Sequence, residues 1–163
     1  METGDNAVPE KLFSRYAFPC TEVILQKGKI SQERFNELKA MAEKGVTPPK
    51  KILEETYTTA MEQMDRIAER RNTGRWDIEV IKEYFERGGH NDFIDSGGGE
   101  FGHAPESMKD MCRILEGEVE EINGGILKVR VKGRERMCRD IHNLGLKKGN
   151  RVIIHYGYVV GKI

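Results

Sequence analysis

The fold of the C-terminal third is decided by residues 117–131, GEVEEINGGILKVRV, where two runs flank an Asn-Gly-Gly turn. After the turn every second side chain is apolar, at Leu127, Val129 and Val131, and the residues between them are basic. An Asn-Gly pair between alternating runs is a strong short-range signal for a β-hairpin. The stretch therefore predicts two antiparallel strands that turn one face to a core.

Three further runs that read as strands follow this hairpin, at residues 134–138, 151–155 and 158–160. Glycines punctuate the segments between them, most clearly in residues 144–150. Short strands at close, regular spacing are typical of small barrels and sandwiches. We expect residues 111–163 to form a small OB-like β-barrel.

Residues 1–95 carry helical signals instead. Ser31 is a candidate N-cap and Gly45 a candidate stop for one helix. Apolar residues at three- and four-residue spacing predict one long helix from Pro49 to about Asn72, and another spans about 77–87. This half is therefore predicted to be a helical bundle.

The two halves differ in charge and are separated by a glycine-rich stretch. Residues 111–163 carry 11 Lys and Arg against 6 Asp and Glu, whereas the preceding residues carry 16 against 21. Residues 96–110 include SGGGEFG and lack the strand-glycine-helix context of a phosphate loop, so they are predicted to be a linker. The expected fold is α+β, with a helical domain at 1–95 followed by the OB-like barrel at 111–163.

The cysteine count and the N-terminus bear on the compartment. Cys20, Cys112 and Cys138 are an odd number without disulfide-scaffold spacing, and the first residues lack the basic start and apolar core of a signal peptide. No apolar run approaches the roughly 20 residues that cross a bilayer. We expect a cytoplasmic protein with reduced thiols and no membrane span. No nucleophile–base pair has a diagnostic spacing, so catalysis is not expected.

The C-terminal third resembles the HypC/HupF family of hydrogenase maturation chaperones. The resemblance covers residues 111–163 and rests on Met111-Cys112 at the start, a series of apolar and glycine positions, and His155-Tyr156-Gly157-Tyr158 near the end. The intervening positions are Gly117, Val119, Ile122, Val129, Gly133, Leu146, Gly149 and Val152. No familiar motif was found in residues 1–110.

This resemblance implies a non-catalytic role in metalloenzyme assembly. It implies that Cys112 and His155 hold transiently bound iron carrying cyanide and carbon monoxide ligands. The implied partners are a HypD-like scaffold and the precursor of the [NiFe]-hydrogenase large subunit. In the family the cysteine follows the initiator methionine, whereas here 110 residues precede Met111. Arg113 and nearby basic residues are expected to favour the thiolate of this internal cysteine.

The residues alone leave the roles of several side chains open. Cys112 and His155 can be metal ligands, since thiolate is soft and imidazole borderline, or a packing thiol and a core histidine. Cys20 near a helix start is a second candidate thiol, and Cys138 is expected to pack in a strand. The segment 90–95 could serve a metal through His90, Asp92 and Asp95, but turn and capping roles are commoner there. His103 and His142 are assigned to linker and turn.

A basic strip on the predicted barrel supports an alternative function. Alternation places Lys128, Arg130 and Lys132 on the solvent face of one strand, and OB-like barrels often bind nucleic acid there. Aromatic stacking partners do not interleave with this strip. We therefore expect the strip to be a solvated face or to bind an acidic protein partner, and a nucleic-acid-binding barrel is the alternative. The acidic residues of 116–121 are expected to face solvent or to pair with the strip.

Overall fold

A computed structural model of the chain describes residues 8–98 and 104–163. The chain divides into two compact units, one ending at Asp92 and the other running from Phe93 to Ile163. The first is helical, and the second contains a closed five-stranded β-barrel. The predicted α+β fold, a helical part followed by a small barrel, is confirmed. The part of the predicted linker at 99–103, including His103, lies outside the described residues.

The helices are short, and several begin and end at the predicted signals. They are α1 (Pro9–Ala17), α2 (Thr21–Gln26), α3 (Gln32–Lys44), α4 (Lys50–Thr56), α5 (Thr58–Arg71), α6 (Ile78–Phe85), α7 (Gly89–Asp95) and α8 (Glu106–Cys112). The Ser31 hydroxyl accepts a hydrogen bond from the Arg34 amide at the start of α3, and Gly45 ends that helix at φ +69°. Asp77 caps α6 in the same way through the Glu79 amide.

The core of the helical unit is built around Phe13 on α1. Its ring makes edge contacts with Tyr57, Trp76 and Phe85 at centroid distances of 5.5–5.6 Å. Residues from four helices are fully buried in this unit: Phe13, Leu53, Met64, Val80 and Ile81. Short helices gain most of their stability from such packing and little from propensity.

The prediction of one long helix from Pro49 to Asn72 is wrong. The chain leaves helical geometry at Tyr57, where φ is −104° and ψ is 55°, so that α4 and α5 are separate helices. Tyr57 is buried, and its hydroxyl lies 2.7 Å from the Thr21 hydroxyl. The neighbouring threonines are weak helix formers because they lose side-chain freedom in a helix. The break between α4 and α5 therefore goes with a polar contact between Tyr57 and Thr21, which the spacing of apolar residues in the sequence does not reveal.

Two further segments are more helical than predicted. His90 lies within α7, where the sequence favoured a turn, because Gly88 at φ +98° ends the preceding segment and a new helix begins at Gly89. Helix α8 overlaps the predicted linker and begins after Pro105, which has the extended backbone expected before a helix start.

The strands occur where the alternating pattern predicted them. They are β1 (Ile114–Asn123), β2 (Ile126–Val131), β3 (Arg134–Arg139), β4 (Arg151–His155) and β5 (Tyr158–Lys162). Their order around the barrel is β1-β2-β3-β5-β4, and β4 returns to pair with β1. Pairing is antiparallel except between β3 and β5. The barrel core contains Val119, Leu127, Val129, Val131, Cys138, Val152, Ile154 and Val159.

Candidate functional site

The first pair of candidate ligands lies at one end of the barrel. Cys112 is the last residue of α8, and β1 begins two positions later at Ile114. Ile114 is paired with His155, the last residue of β4. Both candidates are buried, Cys112 at 6% exposure and His155 at 1%. Strand pairing therefore brings the Met-Cys segment and the final histidine to the same edge of the barrel.

The position of Cys112 differs from the expectation. The sequence placed this thiol at the first residue of the β domain, whereas the structure places it at the C-terminal end of a helix. The strand β1 begins only at Ile114. The apolar pair Met111–Cys112 fits the end of a helix as well as the edge of a strand.

Arg113 follows Cys112 directly and binds carboxylates from two segments of the same unit. Its guanidinium bonds to Asp95 at 2.6 Å and to Glu106 at 2.8 Å, and it also bonds to Asp110. These contacts raise the pKa of the guanidinium further above its ordinary value. The contacts direct the Arg113 charge to α7 and α8, so they do not support the expected role of Arg113 in favouring the Cys112 thiolate.

Cys138 is a barrel-core residue, as predicted. It lies on β3 opposite Leu127, with 1% of its surface exposed. Burial raises the pKa of its thiol to about 11, so the side chain is a neutral thiol near neutral pH. Neither metal binding nor thiolate chemistry is expected of a side chain in this environment.

The basic strip is largely neutralised by its own barrel. The Lys128 amine lies 3.4 Å from Glu121 and 3.7 Å from Glu135, and Arg130 bonds to Glu120. Glu120 and Glu121 of the acidic run thus pair with the strip, one of the two arrangements expected, whereas Glu116 pairs with Arg151. Lys132 is not on the strand, because β2 ends at Val131 and Lys132 occupies the turn with φ +50°. The prediction that all three cations share one strand face is wrong for Lys132.

The candidate cluster after Gly88 is divided among different partners. Asp95 binds Arg113, and among the described residues Asp92 and Asp95 are not in the group of possible metal ligands that includes His90. The imidazole Nδ1 of His90 lies 3.2 Å from the amide oxygen of Asn91. Burial lowers the pKa of His90 to about 4.

A relationship that the sequence did not predict joins Cys20 to His90. Within the helical unit, the Cys20 sulfur and a His90 ring nitrogen lie within 4.8 Å of each other. Cys20 ends a short 3₁₀ turn at Phe18–Cys20, directly before α2, while His90 is the second residue of α7. No spacing rule links these positions, since only tertiary packing brings them together.

The comparisons with known proteins found no matching protein-family model and no similar curated protein. Within residues 8–98 and 104–163, no helix has the length and apolar character needed to cross a bilayer.

Proposed function

We propose that this chain is a non-catalytic maturation chaperone or adaptor of the HypC/HupF kind, which handles an iron centre for a metalloenzyme. The observation that carries the proposal is the pairing of Ile114 with His155. It brings the two residues that match the family landmarks, Cys112 and His155, to one end of the barrel. Proximity of this kind is the minimum that a shared site requires.

The two side chains suit a cargo better than a resident cofactor. A thiolate and an imidazole together bind iron or a similar transition metal, but two ligands do not complete its coordination sphere. Cyanide, carbon monoxide or groups from a partner would occupy the other positions. A carrier with few ligands of its own can release its cargo more readily than a site with a full set.

Access to the site depends on helix α8. Because Cys112 is only 6% exposed, its sulfur has to become more accessible before it can bind a metal that carries diatomic ligands. We propose that the end of α8, which carries Cys112, moves to allow this. Arg113 links α8 to Asp95. We therefore assign Arg113 the role of holding the cysteine covered until a partner opens this end of the barrel.

The proposed partners are a HypD-like scaffold and the precursor of a [NiFe]-hydrogenase large subunit. Lys132 is exposed in the β2–β3 turn and is the member of the basic strip best placed to contact an acidic partner surface. Lys128 and Arg130 would contribute only by exchanging their glutamate partners. The same pairing weighs against the alternative function, nucleic-acid binding, because phosphates would have to compete with those glutamates.

The test is an infrared spectrum and metal analysis of protein purified anaerobically from cells that produce a [NiFe]-hydrogenase. We expect iron together with the stretching bands of metal-bound cyanide and carbon monoxide. Cys112→Ala should remove both signals and the capture of a maturation partner, whereas Cys138→Ala should keep them. A wild-type protein without iron or bands, or equal losses from the two variants, would refute the carrier role.

A further inference from the structure

Cys20 and His90 place two metal-binding atoms close together inside the helical unit. Their sulfur and ring nitrogen lie within 4.8 Å. With zinc-to-sulfur and zinc-to-nitrogen bonds of ordinary length, a tetrahedral ion would hold those two atoms about 3.6 Å apart. Closing the pair around an ion therefore requires the two atoms to approach each other by at most about 1.2 Å.

A hydrogen bond and two aromatic contacts orient the His90 ring. The amide oxygen of Asn91 can only accept a hydrogen bond, so Nδ1 donates to it. The ring also makes an edge contact with Tyr84 at 5.7 Å and lies tilted against Phe85. Metal-bound histidines are commonly oriented by such a second hydrogen bond.

Cys20 differs from the other two cysteines in its burial. It is partly buried, whereas Cys112 and Cys138 are buried. Cys20 is therefore the thiol best placed to meet an ion from solvent.

We infer that Cys20 and His90 form a transition-metal site in the helical unit, for Zn²⁺ or a similar borderline ion. The thiolate and imidazole supply two ligands, and water or a small ligand completes the coordination. The inference does not depend on the chaperone function.

The experiment titrates the reduced full-length protein with Co²⁺, whose thiolate charge-transfer absorption in the near ultraviolet reports sulfur ligation. Cys20→Ala should abolish that absorption, and His90→Gln should weaken binding by about tenfold or more. Cys138→Ala is the matched control and should keep the absorption, because that thiol lies in the barrel core. Circular dichroism establishes that each variant is folded.

A second readout needs no variant. Iodoacetamide should alkylate Cys20 in the metal-free protein, and Zn²⁺ should protect it, as located by mass spectrometry. Absence of the Co²⁺ absorption in the wild type would overturn the inference. Persistence of the absorption at wild-type strength in Cys20→Ala would also overturn it, because the sulfur ligand would then not be Cys20. Neither result would decide the chaperone role. That role is tested separately, by the presence of iron with diatomic ligands.

Discussion

Gly117 on β1 lies so close to Val129 on β2 that a β-carbon at position 117 would meet the valine Cγ1 at 2.6 Å. The same β-carbon would lie 2.8 Å from the carbonyl oxygen of Arg130. The backbone of β2 at Arg130 cannot move out of the way of that β-carbon as the end of a flexible side chain could. The absence of a side chain at this position is therefore a condition for the pairing of the two strands.

Gly117→Ala should destabilise the barrel by about 1–3 kcal/mol, the usual range for overpacking a core. Chemical denaturation followed by circular dichroism measures this loss. The control is Gly125→Ala, because Gly125 has open space around its α-carbon. Equal stability of the two variants would show that β1 and β2 can move apart at no cost.

Tyr57→Phe should lower the free energy of unfolding by about 1–2 kcal/mol. The Thr21 hydroxyl donates to the Phe18 carbonyl at 2.5 Å, so the Tyr57 hydroxyl must donate to Thr21 in their 2.7 Å contact. The substitution leaves a buried acceptor without its donor. Glu62→Ala, which removes only an exposed pair with Arg66, should change stability by less than about 0.5 kcal/mol and serves as the comparison.

Acid should destabilise the wild-type protein more than His90→Gln. The pKa of His90 is about 4 in the folded chain and about 6.5 when unfolded, so the unfolded chain binds the extra proton as the pH falls between these values. Stability from the neutral ring is complete above pH 6.5 and declines toward pH 4. Between pH 7 and pH 5 the wild type should lose about 2 kcal/mol more than the variant. Urea unfolding at both pH values measures this, and parallel losses would contradict it.

Arg113→Ala should make Cys112 more accessible. Removing the guanidinium releases Asp95, Glu106 and Asp110 from a common partner, and a local opening made easier by about 1.4 kcal/mol raises the open population tenfold. We expect a rise of that order in the alkylation rate of Cys112. Arg151→Ala removes an exposed pair with Glu116 and should leave the rate unchanged. A rate in Arg113→Ala equal to that of the wild type would show that Arg113 does not hold α8.

Oligonucleotides should not bind the barrel with micromolar affinity at physiological salt. The charges of Lys128 and Arg130 are engaged by glutamates, and a contact based on six phosphates would weaken by roughly 10³ or more between low and physiological salt. Titration with single-stranded and duplex DNA at both salt levels measures this. Tight binding that survives salt, is lost on substitution of Lys128, Arg130 and Lys132, and is indifferent to Cys112→Ala would favour the nucleic-acid alternative.

Local patterns predicted the strands well, because a strand with one buried face has a two-residue period that can be read directly. Leu127, Val129 and Val131 are all buried as that period requires. The break at Tyr57 was missed because the apolar spacing continues through it. The break coincides with a contact between the hydroxyls of Tyr57 and Thr21, residues that are distant in the sequence.

The candidate sites were predictable only in part. The resemblance singled out Cys112 and His155, but not that a helix would end at the cysteine. The sequence indicates Cys20 and His90 as two separate candidates, with nothing to connect them. Their proximity depends on how the 3₁₀ turn that ends at Cys20 is placed relative to the start of α7, and neither periodicity nor spacing carries that information.

The place where the barrel closes, between β3 and β5, has a consequence for the order of folding. Strands β1, β2 and β3 are joined by tight turns and can pair locally, whereas β3 and β5 meet through a single parallel pair, Arg139 with Tyr158. Non-local pairing has to overcome loop-closure entropy first. The β4–β5 hairpin should therefore dock late, so His155 reaches Ile114 in the closing step. A kinetic probe at His155 would then report the closure of the barrel. Probes in β2 would report the earlier pairing of β1, β2 and β3.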